Sequence, residues 1–327
     1  MGVKILSIGA WTPNKILTND DLSKMVDTSD EWIRSKTGIC QRHIADADTA
    51  TSDIAINAAK LALERANISA EDLDCIIVAT TSPDHHGFPS TSCIIQGKLG
   101  AVNAGAFDLV AACSGLAYGI EVARGFINNG TMKYVMVIGA EKLSSIINWN
   151  DRNTCCLFGD GAGALILSKS SEGEGDIIDS IIMADGTGED ALKIKAGGSR
   201  NPFTNELPSI EDLTLSMDGQ AVYNFAVRVN TEMVQQLLDK HNLTSEDITW
   251  IVPHQANYRI IKAASKRLKI SEDKFFMNLA DYGNTSAASI GIALNEMYEK
   301  GILKRGDLII TMGFGAGLTY AANLIRY

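Results

Sequence analysis

The chain repeats part of itself. Asn67-Ile-Ser-Ala-Glu-Asp-Leu-Asp-Cys-Ile-Ile-Val-Ala79 is echoed by Asn242-Leu-Thr-Ser-Glu-Asp-Ile-Thr-Trp-Ile-Val-Pro-His254, an offset of 175 residues (242 − 67). Each copy reads as a helix end, a Glu-Asp turn and a buried apolar β run. Further on, Gly130-Thr-Met-Lys133 and Gly301-Ile-Leu-Lys304 each close a helical pattern before another apolar strand, at an offset of 171 (301 − 130). Two matches at nearly one offset favour duplication over chance helix–strand grammar. No Pro- or Ser-rich linker separates the copies. The repeat therefore predicts an α/β protein of two similar halves, residues 1–170 and 171–327, packed tightly together.

Duplication carries a geometric expectation. Subtracting 171 from Asn284 gives Cys113, which would place the two at equivalent positions, each before a helix running toward the matched Gly-x-x-Lys. Both helix N-termini would meet across a pseudo-two-fold axis. His254 ends the repeated strand of the second half and would point toward the same axis.

Composition narrows the functions open to such a chain. A net charge of −10 over 327 residues argues against general affinity for nucleic acid or an anionic membrane. No apolar stretch approaches bilayer length, and the N-terminal apolar run is too short for a signal peptide, so it reads as a first strand. A soluble cytoplasmic protein is expected. The six cysteines show no repeated C-x-x-C spacing, so neither a metal site nor a disulfide framework is expected.

Cys113 lies in Phe107-Asp-Leu-Val-Ala-Ala-Cys-Ser-Gly-Leu-Ala-Tyr-Gly119, where an apolar strand runs into small residues and then a helical pattern. At such a corner the helix dipole and free N–H groups favour thiolate, which predicts a lowered pKa. The segment alone also fits a small buried core cysteine. His254 sits at the tip of a strand, where α/β proteins gather ligand-binding residues, though a lone histidine is better explained structurally. Asn284, in Asp281-Tyr-Gly-Asn-Thr-Ser-Ala-Ala-Ser-Ile-Gly291, fits an N-cap, and its match to Cys113 raises its interest. Phe158-Gly-Asp-Gly-Ala-Gly-Ala164 leads into a strand instead of opening a helix, which excludes a dinucleotide fingerprint. Met312-Gly-Phe-Gly-Ala-Gly-Leu318 follows a strand, and its backbone could present an N–H to a thioester oxygen. Beyond His254, Arg259, Lys262, Lys266 and Lys269 fall within about 80° on one helical face, with Ile261, Ala264 and Leu268 opposite. On an acidic protein such a face suits an acidic partner, although a solvated amphipathic face is the bland alternative.

Together these segments resemble the β-ketoacyl-acyl-carrier-protein synthase III family along essentially the whole chain. The marks are Ser29-Asp-Glu-Trp-Ile33 with Thr37-Gly-Ile39, Ala111-Ala-Cys113, Phe158-Gly-Asp-Gly-Ala-Gly163, Val252-Pro-His-Gln-Ala-Asn257 and Gly283-Asn-Thr-Ser-Ala-Ala288. The resemblance implies a thiolase-like five-layered αβαβα fold, a homodimer, and condensation of an acyl-CoA primer with malonyl-acyl-carrier protein at the start of fatty-acid synthesis. It implies Cys113 as nucleophile, with His254 and Asn284 as donors to the malonyl thioester. Thr28, Trp32, Lys36 and Arg152 would hold coenzyme A, which enters as substrate with no further cofactor. The backbone N–H groups of Cys113 and Ala316 would form an oxyanion hole. Gln255, Ala256, Asn257, Tyr258, Arg259, Lys262, Lys266 and Lys269 would meet acyl-carrier protein, and Phe88 would enter the partner subunit's acyl pocket.

Three positions depart from the family's pattern: Lys36 for an arginine, Gln220 for an asparagine, and Ala316 within a glycine run. They bear on coenzyme A affinity more than on reaction type. Thiolase is disfavoured because no cysteine follows Cys156 to act as a second base. A hydroxymethylglutaryl-CoA synthase would want a catalytic glutamate. A papain-like Cys-His-Asn hydrolase and a condensing enzyme of secondary metabolism with a different primer remain as alternatives.

Overall fold

The structure, a computed structural model, describes residues 2–203 and 208–327. Its first sheet has five strands: β1 (Gly2–Trp11), β2 (Cys75–Ala79), β3 (Gly105–Leu109), β4 (Tyr134–Glu141) and β5 (Gly161–Ser170), in the order β1-β5-β4-β2-β3. β2 runs parallel to β3 and β4, while β5 is antiparallel to β4 and β1. The second sheet holds β6 (Asp176–Ala184), β7 (Trp250–Pro253), β8 (Leu308–Gly315) and β9 (Thr319–Arg326), in the order β7-β8-β9-β6. β7 and β8 are parallel, and β9 is antiparallel to both its neighbours. Strand for strand, β6, β9, β8 and β7 reproduce β1, β5, β4 and β2. Of a counterpart to β3 there is a single parallel bridge between Ile251 and Phe275.

Seven longer helices frame the sheets: α1 (Asp30–Thr37), α2 (Thr51–Ala66), α3 (Thr91–Leu99), α4 (Gly115–Asn128), α5 (Gly219–Lys240), α6 (Tyr258–Leu268) and α7 (Ser289–Glu299). α4 and α7 touch both sheets and form the middle layer. α2 covers the outer face of the first sheet, and α5, with α6 alongside it, covers that of the second. The result is the five-layered α-β-α-β-α sandwich of a thiolase-like fold. The sequence dictates this burial: β2 is apolar at all of its positions, as a strand covered on both faces must be. α7 buries Ile290, Ile292, Leu294 and Met297 around its circumference, as a helix between two sheets must.

Glycines set how closely the middle layer approaches. A Cβ at Gly163 would stand 2.5 Å from the Cα of Gly291, and one at Gly139 would stand 2.1 Å from the Ala287 carbonyl oxygen. Glycines at the head of β5 and near the end of β4 thus serve backbone-to-backbone packing against α7 and the turn that precedes it.

The backbone also corrects the expected register of the repeat. Asn67 (φ 53°) and Asn242 (φ 52°) end α2 and α5 in the left-handed region. Ala112 (φ 44°) and Ser286 (φ 46°) open matching 3₁₀ turns, Ala112–Ser114 and Ser286–Ala288, at an offset of 174 (286 − 112). α4 has 14 residues and α7 has 11, which reduces the offset to 171 at the following glycines. Cys113 is therefore equivalent to Ala287. Asn284 precedes that position by one turn.

Candidate active site

The turn carrying Cys113 is fixed from three sides. Ser114 Oγ and Thr319 Oγ1 both donate to the Ala111 carbonyl, at 2.7 and 2.9 Å. A Cβ at Gly315 would stand 2.6 Å from the Cys113 nitrogen and one at Gly313 2.7 Å from its carbonyl oxygen, so β8 lies directly on this backbone. Cys113 is buried, and burial pushes its thiol up to about 12, with the nearby Glu141 carboxylate adding to the rise. Ser286 and the Cys113 N–H pull the other way and are outweighed. The expected lowering is thus reversed: burial outweighs the helix N-terminus, and the resting Cys113 is a neutral thiol.

Glu141 went unnoticed in the sequence because it simply ends an apolar strand. It is fully buried, and burial raises its carboxyl pKa against the bonds it accepts. Those come from Thr80 Oγ1, Thr81 N, Thr81 Oγ1, Ser82 N and Ser82 Oγ at 2.5–3.2 Å, and they pin the loop after β2 beside Cys113.

His254 leaves the tip of β7 with its N–H bonded to the Met312 carbonyl at 2.7 Å. Its ring lies edge-on to Phe314, with centroids 5.4 Å apart. It is 2% exposed, and burial pushes the imidazole down to about 3, so the ring is neutral. Asn284 is held by its backbone between Leu157 and Gly159, with its N–H on the Leu157 carbonyl at 2.8 Å and its carbonyl receiving Gly159 N–H at 3.0 Å. It caps no long helix. Its Oδ1 accepts the Ser286 N–H at 2.9 Å, which leaves its Nδ2 hydrogens as the free donors.

These three side chains line one cavity of about 280 Å³, which continues past Gln220, Tyr223 and Phe314 to Asn257 and Arg259. A second cavity of about 190 Å³ also opens on Cys113. Its walls include Leu143, Ile146, Leu192, Leu215 and Ala316. Cys113 stands where a passage of mixed polar and apolar lining meets an almost wholly apolar pocket. Among the described residues no three of His, Cys, Asp and Glu gather as metal ligands.

The outer site residues divide. The Arg152 guanidinium lies 5.1 Å from the Trp32 ring centre and donates to the Asp27 carbonyl at 2.9 Å. The two are stacked on each other, so a flat ring enters between them only if they part. Thr28 lies next to that carbonyl, with a buried hydroxyl that has no hydrogen-bond partner among the described residues. Lys36 is exposed at the end of α1, and its carbonyl accepts Asn257 Nδ2 at 3.1 Å. On α6, Arg259, Lys262 and Lys266 are exposed, as is Arg267, which the helical-face pattern passed over. Lys269 is exposed too, but it stands beyond the helix as a left-handed C-cap (φ 57°), so helical spacing does not place it on that face. Gln255 is 1% exposed, donating to Pro253 and Phe276 carbonyls and accepting from Asn278 and Leu279. It shapes the loop and has no face for a protein partner, which corrects its assignment to carrier binding. Asn257 caps α6 through Arg259 N–H, Tyr258 donates to Glu272, and Ala256 lines the passage. Phe88 is 88% exposed and lines neither cavity of its own chain.

A five-layered sandwich with a cysteine at the head of one middle helix, and a neutral histidine and an asparagine facing it, defines a thiolase-fold condensing enzyme. Family models agree: 3-oxoacyl-[acyl-carrier-protein (ACP)] synthase III matches residues 107–186, and the C-terminal part of the same family matches 238–327. A β-ketoacyl-[acyl-carrier-protein] synthase III of Caldanaerobacter subterraneus subsp. tengcongensis is 55% identical over 323 residues, 99% of this chain and 97% of that one. The crystal structure of 3-oxoacyl-[acyl-carrier-protein] synthase III from Aquifex aeolicus VF5 superposes with a TM-score of 0.92 at 45% identity, covering 100% of each chain. The priming β-ketosynthase of the R1128 polyketide pathway gives 0.91 at 34% identity, covering 99% of this chain and 96% of that one. The chain belongs to the β-ketoacyl-acyl-carrier-protein synthase III family.

Proposed function

We propose that this protein joins an acyl-CoA primer to malonyl-acyl-carrier protein and so begins fatty-acid synthesis. The observation that carries this is the shared cavity of Cys113, His254 and Asn284. In the first half-reaction the Cys113 sulfur attacks the primer's thioester carbonyl. Backbone N–H groups of Cys113 and Ala316 hold the oxyanion, and coenzyme A leaves as a thiol with the proton Cys113 gives up. In the second, the bond from the malonyl α-carbon to its carboxylate breaks and carbon dioxide leaves. The electron pair becomes an enolate whose oxygen takes hydrogen bonds from His254 and Asn284. That enolate carbon attacks the acyl-Cys113 carbonyl, and Cys113 departs as thiolate and takes a proton from water. Two neutral donors preorganised in a dry site can lower such a barrier by several kcal/mol. Thioester and carboxylate supply all the chemistry, so no cofactor beyond coenzyme A as substrate is required.

The adenine of coenzyme A would part Trp32 from Arg152, with Thr28 and Lys36 beside it. Acyl-carrier protein, which is acidic, would dock on Arg259, Lys262, Lys266 and Lys269. A second copy would cover the open edge of β3, where Val102, Val110 and Phe88 are exposed, and bring its Phe88 to the apolar pocket. No helix among the described residues is long and apolar enough to cross a membrane, and we place the enzyme in the cytoplasm. The test is a panel of acyl-CoA primers with malonyl-acyl-carrier protein, each product identified by mass. A β-ketoacyl thioester with carbon dioxide is expected; release of the primer as free acid would overturn the reading in favour of a hydrolase. Turnover only with long or unusual primers would favour the secondary-metabolite alternative, which the likeness to the R1128 ketosynthase keeps in view.

A further inference from the structure

The correspondence of the halves singles out a residue that this reaction scheme leaves idle. His254 occupies the place of Ala79 (254 − 79 = 175), and Ser289 that of Gly115 (289 − 115 = 174). In the first half, a Cβ at Gly115 would stand 2.7 Å from the Ala79 Cβ, so strand and helix meet with nothing between them. In the second half the same junction holds a hydrogen bond, with His254 Nδ1 2.7 Å from Ser289 Oγ. Both side chains are buried, at 2% and 1% exposure, and the Gln255 N–H also approaches Ser289 Oγ at 3.4 Å.

The direction of that bond follows from a count of protons. A hydroxyl that receives a backbone N–H has its own hydrogen to give, and Nδ1 is the acceptor it touches. Were Nδ1 protonated, the Ser289 oxygen would accept twice and its hydrogen would be left without a partner in a dry site. Burial keeps the ring neutral, so one nitrogen alone carries a proton. We propose that Ser289 is a positioning residue that fixes the tautomer of His254: it donates to Nδ1 and thereby leaves the proton on Nε2, the nitrogen free to donate to the malonyl thioester oxygen. Asn284 is prepared in the same manner, since the Ser286 N–H occupies its oxygen and frees its nitrogen. In both donors a partner behind the side chain decides what its front offers.

The proposal rests on His254 acting as a donor, and the test separates the two claims. Full-length enzyme labelled with ¹⁵N in histidine is examined by long-range ¹H–¹⁵N correlation, with His254 assigned by its loss in His254→Ala. The wild-type enzyme should show a protonated Nε2 and a bare Nδ1, unchanged between about pH 5 and 8. Ser289→Ala should move the signal toward the Nδ1-protonated form. Its kcat for malonyl decarboxylation should fall roughly tenfold, with KM and Cys113 acylation close to wild type. Ser289→Cys, a weaker donor of similar size, should lie between. The proposal is overturned if Ser289→Ala keeps the Nε2-protonated pattern at full decarboxylation rate, or if acylation falls in step, which would mark general packing damage. Should His254→Ala itself decarboxylate at the wild-type rate, the donor role fails independently of the spectrum.

Discussion

At the same point of the same strand–turn–helix unit, the two halves place different chemistry. In the first, the turn after Ala111 offers a sulfur, and the strand tip and helix head are Ala79 and Gly115, too small to hydrogen-bond and packed in contact. In the second, the matching turn offers Ala287 where the sulfur would be, while the strand tip and helix head are His254 and Ser289, which bond each other. On the proposed mechanism, one copy of a duplicated frame would supply the nucleophile and the other the hydrogen-bond donors. Each is also held from across the axis: Thr319 and the β8 glycines fix the Cys113 turn, while Leu157 and Gly159 fix the Asn284 backbone. Symmetry brings them face to face; divergence gives them different tasks.

The largest test of that division is Cys113→Ala. It should abolish the acyl adduct and all condensation, while carbon dioxide release from malonyl-acyl-carrier protein continues, since the donors lie in the other half. Adduct mass and carbon dioxide are measured separately. Loss of both activities together would mean that the halves do not act independently.

Next come His254→Ala and Asn284→Ala, which should each slow decarboxylation on the order of 10²–10³, the usual cost of one oxyanion donor. Cys113 should still acylate appreciably. A papain-like triad gives the opposite pattern, because there the histidine ionises the thiol and acylation would vanish first. Single-turnover acylation of His254→Ala decides between them.

A third test concerns the thiol itself. With the Cys113 pKa pushed up to about 12, the thiolate fraction rises with pH across the whole neutral range. Alkylation of Cys113 by a small uncharged reagent, followed by peptide mass, should therefore climb up to tenfold per pH unit from pH 6 to 9 without levelling. A plateau below pH 8 would restore the lowered pKa that the helix N-terminus alone suggests.

Much of this comparison was legible in the sequence, and the reasons for the rest are physical. Apolar runs and the repeated Asn-x-x-x-Glu-Asp unit revealed two α/β halves because burial on both faces leaves a continuous apolar strand. Register was misjudged at Asn284 because the matched glycines lie beyond the two middle helices, and α7 is three residues shorter than α4, a difference invisible until both helix starts are fixed. The thiol's pKa was misjudged because a sequence shows the dipole's position but not the depth of burial. Glu141 and Ser289 escaped notice since a buried carboxyl at a strand end and a serine among alanines have no local signature. Aligning Ser289 with Gly115 would have flagged it. Gln255 was misassigned because neighbours in a motif share a loop without sharing a surface.

The smallest effect expected tests the outer faces of the two halves, where the contrast continues. The segment after β2 exposes Phe88 and leads into α3, whose only basic residue is Lys98, already paired with Asp53 at 2.7 Å. The segment after β7 leads into α6, which exposes Arg259, Lys262, Lys266 and Arg267. On the reading proposed above, one excursion would meet an apolar twin and the other an acidic partner. On a chain of net charge −10, such a cluster at the mouth of the passage would gather the carrier by long-range attraction. Reversing Arg259 and Lys266 to glutamate should raise KM for malonyl-acyl-carrier protein by roughly tenfold or less, as rim charges act mainly on association. Cys113 acylation by acyl-CoA should hardly change. Because exposed charges are screened beyond about 8 Å at physiological ionic strength, the difference between variant and wild type should shrink as salt is added. An equal loss in both half-reactions, insensitive to salt, would show that α6 supports the passage itself, and the proposed split between a twin-facing and a carrier-facing excursion would fall.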